Sequence, residues 1–239
     1  VTLAELLASA AQTDAARPVV TFYDLETGER VELSLTTAAN WVAKTANMLQ
    51  DTLGTDDETT VDVLLPLHWE TVVWVLACWV AGCAVSMSPG DRIVVVGPHG
   101  LDTVSAENDD ADEIIALSLR PLGGRFTTPL PAGVIDYNAE VPSHGDRFTP
   151  YYPPGNSSPA VREDGDVLTH ADLVAETADR YPAGARVMLV GDRDAVPLLH
   201  VVPAVLHASG SLVLVRSVDP EADRDRITAI ADTERVTVR

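Results

Sequence analysis

The chain is 239 residues long, 46% apolar and 22% charged, enough to bury a core of its own as one large domain or two small ones. Its 16 basic residues face 36 acidic ones, a formal charge of -20 that denies it an electrostatic footprint for nucleic acid and opposes binding to an anionic membrane surface. One of the bases is a lysine, Lys44, so chemistry that needs a pair of lysines is excluded, and Cys78 with Cys83 makes neither a disulfide framework nor a zinc set.

The opening residues predict a short amphipathic helix rather than a signal peptide. Thr2 and Glu5 stand in capping-box spacing, and Leu3, Leu6, Leu7 and Ala10 form its apolar stripe. Pro18 to Tyr23 and Val31 to Leu33 predict a hairpin around the turn Asp24–Arg30. Ser34 caps a long helix with Leu35, Ala39, Val42, Ala46, Leu49 and Leu53 on one face and Gly54 as its stop. Val61 to Leu65 reads as a strand closed by Pro66. Trp69 to Ala81 reads as a helix apolar all round, stopped by Gly82, and buried on every side. The run is too short to cross a bilayer, and a cytoplasmic location is the default expectation. Ala84 to Met87 and Arg92 to Val96 predict strands, so this stretch reads as a parallel βαβ unit with a right-handed crossover.

Glu107 to Glu113 is acidic, Ile114 to Leu119 reads as a strand, and Arg120 to Pro159 is rich in proline and glycine and reads as loop. Regularity returns at Asp166. Thr169 and Asp172 open a helix to Tyr181, Arg186 to Val190 is a strand, and Asp194 caps a helix to Ser209 that Pro203 kinks. Leu212 to Val215 is a strand, Asp219-Pro220-Glu221 starts a helix to about Asp232, and Val236 to Val238 is a last strand. The expected class is α/β, with mostly parallel sheets, helices on both faces and two βαβ-type halves. The halves are residues 1–119 and 166–239, joined through a junction at 120–165 and folded as one compact domain.

Motifs for chemistry are sparse. Lys44 lies inside a helix, so there is no Walker A loop, and Gly97-Pro98-His99-Gly100 reads as a plain βα turn. No Gly-x-Ser-x-Gly elbow or His-Glu-x-x-His pattern occurs. Cys78 sits in the most apolar helix, where a thiol is inert. The histidines at 68, 99, 144, 170, 200 and 207 are scattered, and Glu107, Asp109, Asp110, Asp112 and Glu113 read as a solvated loop rather than an EF-hand. Neither a metal nor a cofactor is expected. Gly-Asp-Arg recurs at Gly90, Gly145 and Gly191 and marks turns.

Ordered features resemble the N-terminal part of the adenylate-forming enzymes, the acyl-CoA synthetases and adenylation domains. Pro18-Val19-Val20-Thr21-Phe22 resembles their first strand, Val61 to Pro66 their strand ending in Leu-Pro, and Trp69 to Ala84 their apolar helix ending in Ala-Gly-Ala. Leu168-Thr169-His170-Ala171-Asp172-Leu173 is similar to the Thr-His-x-x-Leu after their phosphate loop, and Ala208 to Val215 to a later Gly-rich turn and strand. Leu117 to Phe126 resembles the signature of an uncharacterised bacterial family of truncated relatives.

The departures from that pattern concern chemistry. The slot assigned to the phosphate loop holds Gly155-Asn156-Ser157-Ser158-Pro159-Ala160-Val161-Arg162, without the family's lysine and with few of its glycines. The resemblance also places the adenine-binding motifs and a C-terminal catalytic domain beyond residue 239. It therefore implies a motif-depleted, non-catalytic domain that binds a small ligand or a partner protein, or self-associates. The alternatives are a structural partner subunit of a full-length synthetase and an enzyme using a vestigial nucleotide or acyl cleft. The candidate ligand residues are Gly155, Asn156, Ser157 and Ser158 as donors to an anion, with Thr169 and His170 beside them. Each also has an ordinary reading, loop solvation for the first group and helix-cap packing for His170. No catalytic residue is named.

Overall fold

The computed structural model describes residues 1–101, 111–163 and 165–239. Most of the acidic run singled out in the sequence, Glu107, Asp109 and Asp110 included, lies outside them.

Helix α1, Leu3–Thr13, starts at the capping box read from Thr2 and Glu5 and buries Leu3, Leu7 and Ala10. Strands β1, Pro18–Asp24, and β2, Arg30–Ser34, pair antiparallel as the hairpin. The Ser34 hydroxyl accepts the Thr37 N–H at 3.2 Å and opens α2, Leu35–Asn47. The helix expected to reach Gly54 does so in two pieces, because Met48–Thr52 continues it as a π turn.

Strand β3, Thr60–Leu64, leads into α3, Trp69–Ala81, and β4, Ala84–Ser86. The α3 boundaries are those read from the sequence. His68 caps its start through Nδ1, which accepts the Glu70 N–H at 3.2 Å. Gly82 ends it at φ +93°, where an added Cβ would stand 2.8 Å from the Tyr152 carbonyl oxygen. Then come β5, Ile93–Val96, β6, Glu113–Ala116, β7, Val134–Asp136, and the short α4, Tyr137–Glu140. The remaining elements are β8, Pro159–Glu163, β9, Asp166–Thr169, α5, His170–Thr177, β10, Arg186–Gly191, α6, Leu198–His207, β11, Ser211–Arg216, and α7, Arg224–Thr233.

The strands form two sheets. A seven-stranded sheet has the order β7-β6-β5-β3-β4-β8-β9 and is parallel except for the β8–β9 hairpin. A four-stranded sheet has the order β10-β11-β1-β2, with β1 parallel to β11 and β11 parallel to β10. Strands are thus shared between the sheets across the sequence division at 120–165. The opening hairpin belongs with the last strands, and the β8–β9 hairpin with the first βαβ unit.

Several boundaries differ from the sequence reading, each for a local reason. The β8–β9 hairpin was hidden by the proline density ahead of it, yet Pro159 is the first residue of its strand, a place where the missing N–H is tolerated. Helix α6 starts at Leu198 rather than Asp194, because Asp194 caps only a turn, accepting the Val196 N–H at 3.0 Å. Helix α5 stops at Thr177, and α7 starts at Arg224 after a turn begun at Asp219. The expected last strand is reduced to a bridge between Val187 and Val238.

The main core lies between the sheets, where α1, α2, α3 and α6 pack together. Trp69, Trp74 and Trp79 are fully buried there, and α3 touches β1 of one sheet and β3 and β4 of the other. The far face of the four-stranded sheet is covered by α7 over Met188, Val213 and Val215. The far face of the seven-stranded sheet packs Val94, Val96 and Ala116 under Phe126 and Leu130. Among the described residues, no helix is long and apolar enough to cross a membrane.

Candidate ligand cleft

The carboxyl ends of β3, β5 and β6 in the larger sheet and of β10 and β11 in the smaller one converge on a cleft of about 1030 Å3. Open α/β sheets place ligands at that end, because the loops leaving parallel strands can diverge there. Leu64, Leu65 and Pro66 line the cleft at the end of β3, Gly97 to Gly100 after β5, and Ser118 and Leu119 after β6. Asp192 to Val196 and Val218 close the side formed by the smaller sheet.

The wall is mostly apolar, and its buried charge is already matched. Arg216, at the end of β11, donates through Nη1 to Asp24 Oδ2 at 3.1 Å and through Nε to Asp192 Oδ1 at 2.9 Å. Burial opposes the Arg216 charge, but the Asp192 hydrogen bond and both carboxylates outweigh it and hold the guanidinium pKa above its usual value. The Asp192 carbonyl accepts the Leu67 N–H at 2.8 Å, tying the β3–α3 connection to the end of β10. Glu26 and Asp194 add negative charge at the rim, and Arg193, also part of the lining and largely exposed, stands with Nε 3.7 Å from Asp192 Oδ2.

The six candidate residues are brought together, but elsewhere. Gly155 to Ser158 precede β8 and therefore lie at the amino end of the parallel strands, opposite the cleft, whose lining contains none of the six. Their polar groups bond to one another and to the chain. The Gly155 N–H donates to Ser158 Oγ at 2.9 Å, and the Ser158 N–H to the Gly155 carbonyl at 3.1 Å. Asn156 Oδ1 accepts from the Val1 amino group at 3.1 Å, and the Asn156 carbonyl accepts the Ala171 N–H at 2.9 Å. Ser157 is exposed. Thr169 caps α5 in a box with Asp172. His170 is fully buried, its Nδ1 accepting the Leu3 N–H at 3.2 Å, and desolvation pushes its pKa down to about 4.

The connection that enters the Leu168-Thr169-His170 stretch is also shorter than the sequence reading supposed. Pro159–Glu163 is strand, and the pairing of Glu163 with Asp166 leaves two residues between β8 and β9. The carboxyl end of β8, at Glu163, is at the cleft end of the sheet. There the Glu163 carboxylate accepts the Met87 N–H and, at 2.9 Å, the Ser88 hydroxyl.

Sequence reasoning missed Asp24, Asp192, Arg216 and Leu119. The available signal was positional, since each follows or ends a strand; Asp192 belongs to one of the Gly-Asp-Arg turns. Gly97-Pro98-His99-Gly100, read as a plain turn, is part of the cleft wall. Burial pushes the Cys78 thiol pKa up, and that of Cys83 to about 11, so both stay protonated. Lys44 donates to the carbonyls of His144 and, at 3.5 Å, Pro142. Among the described residues no three His, Cys, Asp or Glu side chains are grouped to hold a metal ion.

This architecture is that of the N-terminal region of acyl-CoA synthetases. The fold matches an acyl-CoA synthetase of Brucella canis with a TM-score of 0.77 at 18% identity, over 97% of this chain and 46% of that one. It matches the N-terminal domain of FACL13 from Mycobacterium tuberculosis with a TM-score of 0.74 at 15% identity, over 99% and 61%. A coronafacic acid ligase of Pectobacterium brasiliense gives 0.75 at 12% identity, over 100% and 50%. At such identities the likeness is one of fold, and the chain spans about half the length of these proteins. No family model matches the sequence. It is, however, 37% identical over 232 residues to a Mycobacterium tuberculosis protein described as "TIGR03089 family protein", covering 95% of this chain and 92% of that one. The chain belongs to that family.

Proposed function

We propose that the chain is a non-catalytic domain of the adenylate-forming fold that binds a small, uncharged and partly apolar ligand in the cleft between its sheets. The observation that carries this reading is the cleft itself. It has the volume for a small organic molecule at the carboxyl ends of both sheets, mostly apolar walls, and an arginine already neutralised by two carboxylates. A polyphosphate would meet Asp192, Asp194 and Glu26 there; of the bases beside them, Arg216 is held by its two carboxylates and Arg193 stands 3.7 Å from Asp192 Oδ2, and the single lysine, Lys44, is held by loop carbonyls elsewhere. The two-residue connection between Glu163 and Asp166 also leaves no length for a phosphate loop ahead of Thr169-His170.

The test combines ATP–pyrophosphate exchange with calorimetric titration of ATP, AMP and an acyl-CoA. The expected result is no exchange and no heat with the nucleotides. Measurable exchange overturns the non-catalytic reading. The positive half is read with Nile red, a neutral apolar dye, whose fluorescence is expected to rise on binding and to fall when 1-octanol displaces it. No saturable binding overturns the cleft as a ligand site.

A further inference from the structure

The segment Ser118–Gly124, part of the stretch that resembles a family signature, adopts an unusual backbone. Leu119 has φ +52° and Leu122 φ +60°, both in the left-handed region that residues with branched side chains rarely adopt. Several contacts hold the segment there. The Ser118 N–H donates to Asn138 Oδ1 at 3.1 Å, and Asn138 Nδ2 donates to the buried Glu70 Oε1 at 2.7 Å. Ser118 Oγ donates to the Gly124 carbonyl and accepts the Arg120 N–H at 3.2 Å. The Leu122 N–H donates to Glu29 Oε1 at 3.1 Å, and at Gly123 an added Cβ would come within 3.3 Å of the Trp41 ring.

What this costly backbone achieves is the placement of one side chain. Leu119 lines the cleft, with Cδ1 only 3.0 Å from where a Cβ on Gly97 would stand, and the Pro66 ring 3.6 Å from the same point. The leucine thus fills the space above a glycine at the end of β5, beside the Pro66 ring. We infer that Leu119 is the specificity-determining side chain of the cleft: it limits how long an uncharged alkyl group the cleft accepts, and the Ser118–Gly124 loop is its rigid mount. This inference rests on the cleft being a ligand site.

The test uses the full chain, Nile red as reporter, and straight 1-alkanols from hexanol to dodecanol as competitors. In the wild type, affinity is expected to rise with chain length and then stop at a cut-off. Leu119→Ala should move the cut-off longer by about two carbons, each carbon gained tightening binding by about fourfold. Leu119→Met, which conserves volume, should leave it in place. Leu119→Gly accepts the left-handed backbone without strain, so it provides the enlarged cleft if the alanine variant fails to fold. A wild type that binds the alkanols with a cut-off unmoved by Leu119→Ala and Leu119→Gly overturns the role of Leu119 and leaves the cleft reading standing. A wild type that binds none of them overturns both.

Discussion

Glu70 sits in the first turn of the most apolar helix, fully buried, with Oε1 bonded to Asn138 and Oε2 left without a hydrogen-bond partner 3.6 Å from His68 Nδ1. Desolvation pushes its pKa up to about 8, against the lowering effect of Asn138 and with a small addition from Glu29. The unfolded chain releases this proton near the ordinary carboxylate pKa, whereas the folded chain keeps it until about pH 8. Stability from this group is therefore fully present below the ordinary carboxylate pKa and declines as pH rises from there to about 8. His68 and His170 act in the other direction. Burial depresses them to about 3 and about 4, so the unfolded chain takes up protons first and stability falls as pH drops below the ordinary histidine range. Glu70→Gln, which keeps the acceptor for Asn138, should flatten the decline between pH 5 and pH 8 and stabilise the protein by more than about 1 kcal/mol at pH 8, measured by urea denaturation at pH 5, 7 and 8. None of this was legible in the sequence. The run from Trp69 to Ala81 reads as uniformly apolar, and the side chain that satisfies its one carboxylate arrives 68 positions later.

At the scale of elements, ends and caps were readable and pairings were not. Thr2 with Glu5, Ser34, Gly82 and Thr169 each mark a terminus through a bond to a neighbour a few residues away, information that lies wholly in the local sequence. The β8–β9 hairpin becomes visible only once β4 offers an edge to Val161 and Trp79 Nε1 donates to the Ala160 carbonyl at 2.9 Å. The proline-rich segment after α4 shows how a loop without ladder partners is stabilised. Lys44, Asn47 and Gln50, on α2 and its π turn, donate to its carbonyls at Pro142, His144, Gly145, Arg147 and Thr149. Asn47 makes two of these bonds, at 2.8 and 2.9 Å, to Gly145 and Arg147. Asn47→Ala should cost about 1–2 kcal/mol in equilibrium denaturation, and hydrogen exchange should quicken over residues 142–151 before the core is affected.

For the whole molecule, the decisive pairing is β1 with β11, which joins the opening hairpin to the last βαβ run. The α/β class, the βαβ units and the adenylate-forming likeness could be read from periodicity and motif order. The interleaving of the halves could not, because parallel register across some 190 positions leaves no local trace. The candidate cleft was less legible still. Motif matching singles out the turn before β8; the cleft is a separate feature that arises where strands distant in sequence end together. Glu234 secures the same junction. Only 9% exposed, it accepts from the Tyr23 hydroxyl, from Arg30 at 3.0 Å and from Arg186, so one carboxylate after α7 links β1, β2 and β10. Desolvation works against its charge, yet these donors hold its pKa below the ordinary value. Glu234→Gln should therefore destabilise the fold by about 2–3 kcal/mol near neutral pH, the loss shrinking as pH falls below the carboxylate range, read as a drop in Tm between variants at pH 7 and pH 4.

The placement of Lys44 has a consequence for covalent chemistry. Any reagent or enzyme that acylates lysine side chains finds a single ε-amine in this sequence, and that amine is held by the carbonyls of Pro142 and His144. Acylation would remove the charge as well as the donors, so the one address for lysine modification coincides with the clasp on the 142–149 segment. Modification there would leave Asn47 and Gln50 to hold the carbonyls of that segment.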